Sequence, residues 1–600
     1  MSALDYLIVL LYLVGMVFVG FYFEKKASQG TDSYFLGNRN LPWWALGASG
    51  MASNLDVSGT MINVAMLYAF GVSGFFIEIR GGIVLILAFF MIFMGKWNRR
   101  SQVMTLAEWM ELRFGSGFEG RLARVISAVA ILMSSVAIVT YFAIGSGKFI
   151  GEFLGIPSFM GISGEFWAAL LMIVLTTLYT AASGLYGVVW TDVIQGGLIL
   201  ITIFVISFIA ITQVVLPPSF FVSIPMNDGS FKLIETTLEQ WTSLLPKWEL
   251  SLPQESSYSI YNLFGLSILF YIAKVVIEGA GGTGGYMLQR YLAAPSDRDA
   301  GLLSVFWTFL LAFRWPFTIS IAVIGIYHGV LHNAPIADPE RVLPIVINEY
   351  VPIGIKGLMV AGLMAAAMST FSAILNSAAA YWVKDIYQLL INPKATDKQL
   401  IKQSRYSTII VVALGLALTQ SIGSINDIWG WLTMGLGSGL IVPLFIRWYW
   451  WRLNGYGFAG GILFGMVSAF LQKLIAPQAP EYYAFLIVVG CSLFGTIVVT
   501  LLTPPTPMDA LIKFYNITRP FGFWGPITKG LEKSQYEVIK KENRLDIIST
   551  FIAIPWQLVL FLTLMVVILK RWDYLAILFA LLSGLTVFLY FFWFRRLEKR

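Results

Sequence analysis

The feature that most constrains this chain is a series of apolar runs about 20 residues long, each almost free of charge. Tyr482–Thr503 is one such run: no Asp, Glu, Lys or Arg interrupts it. Wound as a helix, a run of that length spans a hydrocarbon core of roughly 30 Å. Lipid offers the backbone no hydrogen bonds. Every N–H and C=O must then be satisfied within the protein, which only helices or a closed barrel achieve. Continuous runs rather than short alternating segments exclude the barrel. At 58% hydrophobic and 12% charged residues, the chain also lacks the polar surface that a soluble fold of this size needs. The expectation is an all-α integral membrane protein.

The apolar pattern predicts about 15 transmembrane helices. They lie near 4–23, 42–73, 76–97, 120–147, 165–183, 187–213, 258–288, 301–327, 354–384, 405–422, 428–450, 456–475, 482–503, 548–569 and 573–595. Trp and Tyr gather at their ends, as at Trp43, Trp44 and Trp448 to Trp451, where amphipathic rings suit the headgroup layer. Lys and Arg fall in alternate loops: Lys25, Lys26 and Arg39, then Arg99, Arg100 and Arg113, then Arg290 and Arg298, then Lys384 to Arg405, then the basic 513–544 segment. The tail with Arg595, Arg596, Lys599 and Arg600 joins the same side. The opposite loop 214–257 is acidic. By the positive-inside rule the N-terminus is outside and the C-terminus cytoplasmic, which an odd number of spans requires. The acidic start and the missing cleavage site mark the first span as retained rather than as a signal peptide. A multi-pass protein of the plasma or inner membrane follows.

The net charge of +7 lies in the loops, so it does not point to nucleic acid. Cys491, the single cysteine, excludes a disulfide framework. His328 and His332, just past an apolar run, are either a pair in a surface loop or a proton or metal site. Loops 214–257 and 504–547 are long enough for short helices of their own, and 509–519 reads as an interfacial segment.

Two long spans carry polar and glycine-rich centres at corresponding places. The second holds Gly47, Ser49, Gly50, Ser53, Asn54, Asp56, Ser58 and Gly59; the seventh runs from Lys274 and Glu278 through Gly279, Gly281, Gly282, Thr283, Gly284 and Gly285. Unwound backbone at the midplane is tolerated only where it lines a cavity. Two such breaks five spans apart point to a transporter built from inverted repeats. The division expected is an extra helix and loop over 1–41, a first repeat over 42–257, a second over 258–452, and C-terminal helices over 453–600. Helix packing accounts for other glycines, such as Gly81 and Gly82.

Ionisable groups inside a bilayer are costly and therefore functional candidates. Here they are Asp56, Glu78, Arg80, Asp192, Lys274, Glu278 and Arg314. Lys274 and Glu278 are one turn apart and can pair. Glu78 and Arg80 leave a regular helix on different sides and need partners elsewhere. Asp192, near the start of the sixth span, has water within reach. Ser369, Ser372 and Asn376 share one face of the ninth span, and hydroxyls beside unwound carbonyls suit a sodium ion.

These residues resemble the sodium/solute symporter family, with the inverted-repeat fold of the bacterial leucine transporter. The resemblance runs over 24–550 and rests on five motifs in family order: Tyr34 to Arg39 with Pro42, Trp43 and Trp44; Thr105 to Trp109 with Arg113 and Phe114; Trp190, Thr191 and Asp192; Gln289 to Ala294; and Ser369, Thr370, Leu375, Asn376 and Ser377. It implies a sodium site from the carbonyls of Ala52, Leu55 and Ala366 and the hydroxyls of Ser369 and Thr370. It implies a second sodium site in some members, for which Asp192 and Ser372 are present; Ala373 replaces a further serine, and Asp56 is a candidate to compensate. Asn54 and Glu78 resemble a sugar-binding pair, whereas Gly59 and Ala280 depart from the sugar pattern. Arg80, Lys274 and Glu278 would suit a carboxylate or a zwitterion.

The reading is a sodium-coupled symporter, not an enzyme, that imports a small polar organic solute by alternating access as a monomer. It favours a sugar-like solute, with substrate contacts from Asn54, Glu78, Arg80, Lys274 and Glu278. The alternatives are an amino-acid or carboxylate symporter and a proton-coupled carrier using Asp56, Asp192 or Glu278. No catalytic motif accompanies these residues.

Overall fold

A computed structural model describes residues 1–27, 36, 39–103, 106–282, 285–419 and 424–597. Tyr34, Phe35, Gly37, Asn38 and Thr105 of the motifs lie outside the described residues. So do Thr283 and Gly284 of the second break, and Lys599 and Arg600 of the tail.

The chain begins with α1 (Ala3–Ala27), followed by α2 (Trp43–Asn54), α3 (Val57–Phe70), α4 (Val72–Ile77) and α5 (Gly95–Arg100). Next come α6 (Leu106–Phe114), α7 (Phe118–Leu154) and α8 (Gly164–Gln213). An antiparallel hairpin of β1 (Ser219–Pro225) and β2 (Phe231–Thr237) separates them from α9 (Phe264–Gly281), α10 (Gly285–Leu292), α11 (Asp297–Ala312) and α12 (Arg314–His332). The rest are α13 (Val342–Tyr350), α14 (Ile355–Ala380), α15 (Asp397–Leu418), α16 (Ile425–Gly430), α17 (Gly437–Tyr449), α18 (Gly455–Ile475), α19 (Glu481–Leu502), α20 (Met508–Thr518), α21 (Lys533–Ile568) and α22 (Trp572–Phe592).

Both sequence-marked breaks are present. Leu55 and Asp56 leave helical geometry between α2 and α3, and Gly282, at φ 75°, ends α9 before α10. A third break coincides with the packing glycines Gly81 and Gly82, whose Cβ atoms would fall 2.8 Å from Trp429 and 3.0 Å from Asn63. Between Glu78 and Leu87 the third span unwinds through a 3-10 turn and a stretch in which Val84 has φ 56°. Its freed carbonyls are satisfied from three helices. Lys274 donates to Arg80 O (2.9 Å), Arg314 to Gly82 O (3.2 Å) and Gln557 to Val84 O (3.2 Å). Such donors are what lets irregular backbone persist at membrane depth.

Ten helical stretches among the described residues are long and apolar enough to cross a membrane on their own, fewer than the sequence led us to expect. The difference has physical sources. The second and third spans are broken, and α15 begins with a charged turn. The fifth and sixth expected spans form one continuous helix, α8, of 50 residues. A straight helix of that length would be about 75 Å long, more than twice a hydrocarbon core. Glu165 in its first turn pairs with Arg341, and Ser223 of β1, ten residues beyond the last residue of α8, donates to Ala337 O.

The hairpin is the departure from an all-α reading. Phe220, Val222 and Ile224 alternate inward on β1, and the turn at Asp228 and Gly229 joins the strands. That alternation and that dipeptide are the ordinary hairpin signals. The loop below it closes on Gly71, where φ is 61° and a Cβ would fall 1.9 Å from Trp241 O; only glycine fits. In loop 504–547, α20 buries Leu511, Phe514 and Tyr515. The core sits between α2, α3, α8, α11, α12 and α14, which pack on one another.

Candidate functional site

Glycines in α2 let it lie against α11, since a Cβ on Gly50 would fall 2.3 Å from the Trp307 ring. The helix ends at Asn54, and Asp56 begins the next by accepting the N–H of Gly59 at 2.6 Å. An aspartate at this position satisfies an N–H that the new helix cannot. The polar residues around the breaks form two groups.

The first group joins α2, α8, α10 and α14. Asp192 of α8 is 1% exposed, buried and out of reach of the bulk water that its place near the start of the sixth span suggests. Its carboxylate accepts instead from the hydroxyls of Ser49 (2.5 Å) and Ser369. Arg290 Nη2 lies 3.4 Å from Asp192 and donates to Ser53 Oγ at 2.7 Å and Ser49 Oγ at 2.9 Å. Thr370 donates to Ser53 O (2.8 Å) and to Ala366 O (3.1 Å). Ala52 O accepts the Leu55 N–H at 3.4 Å, at the edge of hydrogen-bonding distance. Asp192, Ser369 and Thr370 thus share one site, joined to the end of α2. Ser372 is turned to its own helix, donating to Ser369 O at 3.0 Å.

The second group surrounds the other face of the first break. Tyr141 donates to Asp56 Oδ1 at 3.1 Å and stacks on Trp429 with centroids 5.1 Å apart. Arg314 donates to the carbonyl of Asn54 at 3.3 Å. Asn63, with its amide nitrogen toward Glu78 Oε2 (2.8 Å), accepts from Arg314 Nη2 (3.0 Å) and Nε (2.8 Å). Glu78 and Arg80 do pair with each other, at 3.2 Å, because the 3-10 turn brings them to one side. Arg80 also donates to Tyr261 OH (2.9 Å) and contacts Glu481, whose other oxygen accepts from Tyr271 at 2.8 Å. Lys274 pairs with Glu278 at 2.6 Å.

Asp56 therefore caps α3 beside Tyr141 and does not join Asp192. Asn54, Glu78 and Arg314 are brought together. Arg80, Lys274 and Glu278 lie in a layer beyond them, tied to α19 through Glu481. At the second break the carbonyls of Ala280 and Gly281 are taken by Tyr449 (2.6 Å) and Trp448 (2.9 Å) of α17. Sequence reasoning left Ser49, Ser53, Asn63, Tyr141 and Arg290 out of the site. Ser49 and Ser53 were legible as an i, i+4 hydroxyl pair on a broken helix; Asn63 and Tyr141 gave no local signal.

Broken helices meeting around a buried ring of hydroxyls, carbonyls and paired charges define a membrane carrier. The chain belongs to the sodium:solute symporter family, whose model matches residues 34–465. Sodium and a small solute are its partners, and it is a multi-pass membrane protein. It is similar to a sodium/glucose cotransporter 4 from Danio rerio, 26% identical over 86% of this chain and 82% of the relative. A sodium/glucose cotransporter from Vibrio parahaemolyticus is 25% identical over 84% and 90%, and a sodium/sialic acid symporter from Proteus mirabilis 26% over 84% and 96%. Among solved structures, a substrate-bound, outward-open sodium-coupled sialic acid symporter matches with TM-score 0.63 at 21% identity, over 84% of this chain and 99% of that one. The fold is shared with that transporter.

Proposed function

We propose that this protein couples sodium entry to import of a neutral, hydroxyl-rich solute of sugar type, and that it is a carrier rather than an enzyme. The observation that carries the solute class is that the three cations of the polar layer already have partners within the protein. Arg80 faces Glu78 and Glu481, Lys274 faces Glu278 and the Arg80 carbonyl, and Arg314 holds Asn63 and two backbone carbonyls beside Asp56. A carboxylate solute would have to displace Glu78, Glu481 or Glu278 from its cation, leaving a buried charge uncompensated, or displace the Asn63 and carbonyl acceptors that Arg314 already holds. A sugar asks only for hydrogen bonds at its rim and an apolar wall for its C–H faces. Asn54 and Glu78 can provide the first and the stacked Tyr141 and Trp429 the second. The names of the glucose-carrying relatives support the same class.

Sodium is held by the carbonyls of Ala52, Leu55 and Ala366 and the hydroxyls of Ser369 and Thr370, with Asp192 supplying the negative charge nearby. Support comes from the meeting of these hydroxyls with the end of α2 through Ser53. Sodium there ties α2 to α14 and favours one conformation over the other, the differential binding that coupling requires. The protein works as a monomer in the plasma or inner membrane, N-terminus outside and C-terminus cytoplasmic, as the basic loops imply. Its repeats occupy 42–257 and 258–452.

A thermal-shift screen of purified protein with hexoses, amino acids and carboxylates, with and without sodium, tests the solute class. Stabilisation by a neutral sugar only when sodium is present is the expected result. Stabilisation by an amino acid or carboxylate alone would replace the sugar assignment, and a response to pH in place of sodium would indicate proton coupling.

A further inference from the structure

His328 and His332 take no part in the polar layer. The sequence left them at the edge of a loop, but α12 extends through both, and i, i+4 spacing puts the rings on one face with centroids 4.2 Å apart. Glu349, in the last turn of α13, brings Oε2 to 2.9 Å from His328 Nδ1, and Tyr350 OH lies 3.2 Å from the same nitrogen. One donor atom from each of His328, His332 and Glu349 falls within 4.8 Å of the others.

Two imidazoles and one carboxylate suit zinc and its neighbours, whereas calcium and magnesium prefer all-oxygen sites. His332 Nδ1 lies 2.9 Å from the carbonyl of His328. A proton on Nδ1 donates there, orients the ring and leaves Nε2 as its lone-pair donor, the usual arrangement behind a metal-binding histidine. Zinc–nitrogen bonds of about 2.0–2.1 Å place tetrahedral donors about 3.4 Å apart. The Glu349 side chain, 45% exposed, has room to adjust its rotamer to that spacing. The site also lies at the carbonyl end of α12, where a cation is favoured.

We propose that His328, His332 and Glu349 bind a late first-row divalent cation of the zinc type, with water in the fourth position. Bound metal joins the end of α12 to the end of α13, and α13 packs in turn on α3, the second half of the first broken helix. The site is separate from sodium coupling and does not depend on the solute.

The test is titration of the purified full chain, freed of any polyhistidine tag, with zinc chloride by calorimetry and with cobalt(II) by visible absorption. One zinc per chain in the micromolar range is expected, along with the absorption of four-coordinate cobalt. Glu349→Gln and His332→Ala should each weaken binding about tenfold or more, with unfolding temperatures unchanged when no metal is present. Glu349 is exposed, so its variant keeps the test valid if the histidine variant folds poorly. No zinc uptake by the wild type, or wild-type affinity in both variants, would overturn the site.

Discussion

Thr370 donates its hydroxyl to the backbone carbonyl of Ser53 across 2.8 Å, while its neighbour Ser369 donates to Asp192. Two consecutive residues of α14 thus hold the end of α2 and the middle of α8 at once. Any change in their ligation is felt by the first broken helix.

Asp192→Asn removes the carboxylate from beside Arg290 while keeping the shape of the side chain. Breaking a buried ion pair costs about 3–5 kcal/mol when one charge is removed. Detergent-purified Asp192→Asn should unfold several degrees below wild type. Combining it with Arg290→Gln should lower stability by less than the two separate losses added together; strict additivity would show that the pair is not coupled.

Arg80→Met takes the shared cation from between Glu78 and Glu481, again a loss of about 3–5 kcal/mol. Glu481→Gln leaves Arg80 still facing Glu78 and should cost less. Thermal unfolding of the two variants should rank them in that order.

Asp56 caps α3 through Gly59. Asp56→Ala should cost about 1 kcal/mol of stability, whereas Asp56→Asn keeps a cap and most of that stability. Uptake by Asp56→Asn should show the wild-type sodium dependence. A large loss of sodium affinity in that variant would make Asp56 an ion ligand and not only a cap.

Gly439 and Gly465 bring α17 and α18 into backbone contact. A Cβ on Gly439 would lie 2.7 Å from the Gly465 carbonyl carbon, and one on Gly465 would lie 2.5 Å from Gly439 O. Either alanine substitution should cost about 1–3 kcal/mol by overpacking. Gly584→Ala, with nothing within 4 Å, should be neutral or slightly stabilising in the same unfolding assay.

The sequence made the membrane class and the first two breaks legible because both follow from local composition: apolar length for the spans, and an aspartate or clustered glycines at mid-span for the breaks. The third break was hidden because its cause is not local. Lys274, Arg314 and Gln557 come from three distant helices to satisfy its carbonyls. The same holds within the site. Ser369 and Thr370 could be read from their helical face, but that Asp192 is buried with them depends on how α8 packs on α14. Glu78 and Arg80 were placed apart by helical geometry that the 3-10 turn replaces. The β-hairpin was readable, from alternation in 219–225 and the Asp228–Gly229 turn, and was passed over because the surrounding pattern was helical.

Reconstituted vesicles with an imposed sodium gradient and no pH gradient test sodium coupling through Ser369 most directly. Wild-type protein should concentrate a radiolabelled neutral sugar only while the gradient lasts. Ser369→Ala, folded to the wild-type unfolding temperature, should show no sodium-driven uptake. Unchanged uptake with unchanged sodium dependence in Ser369→Ala would contradict the site.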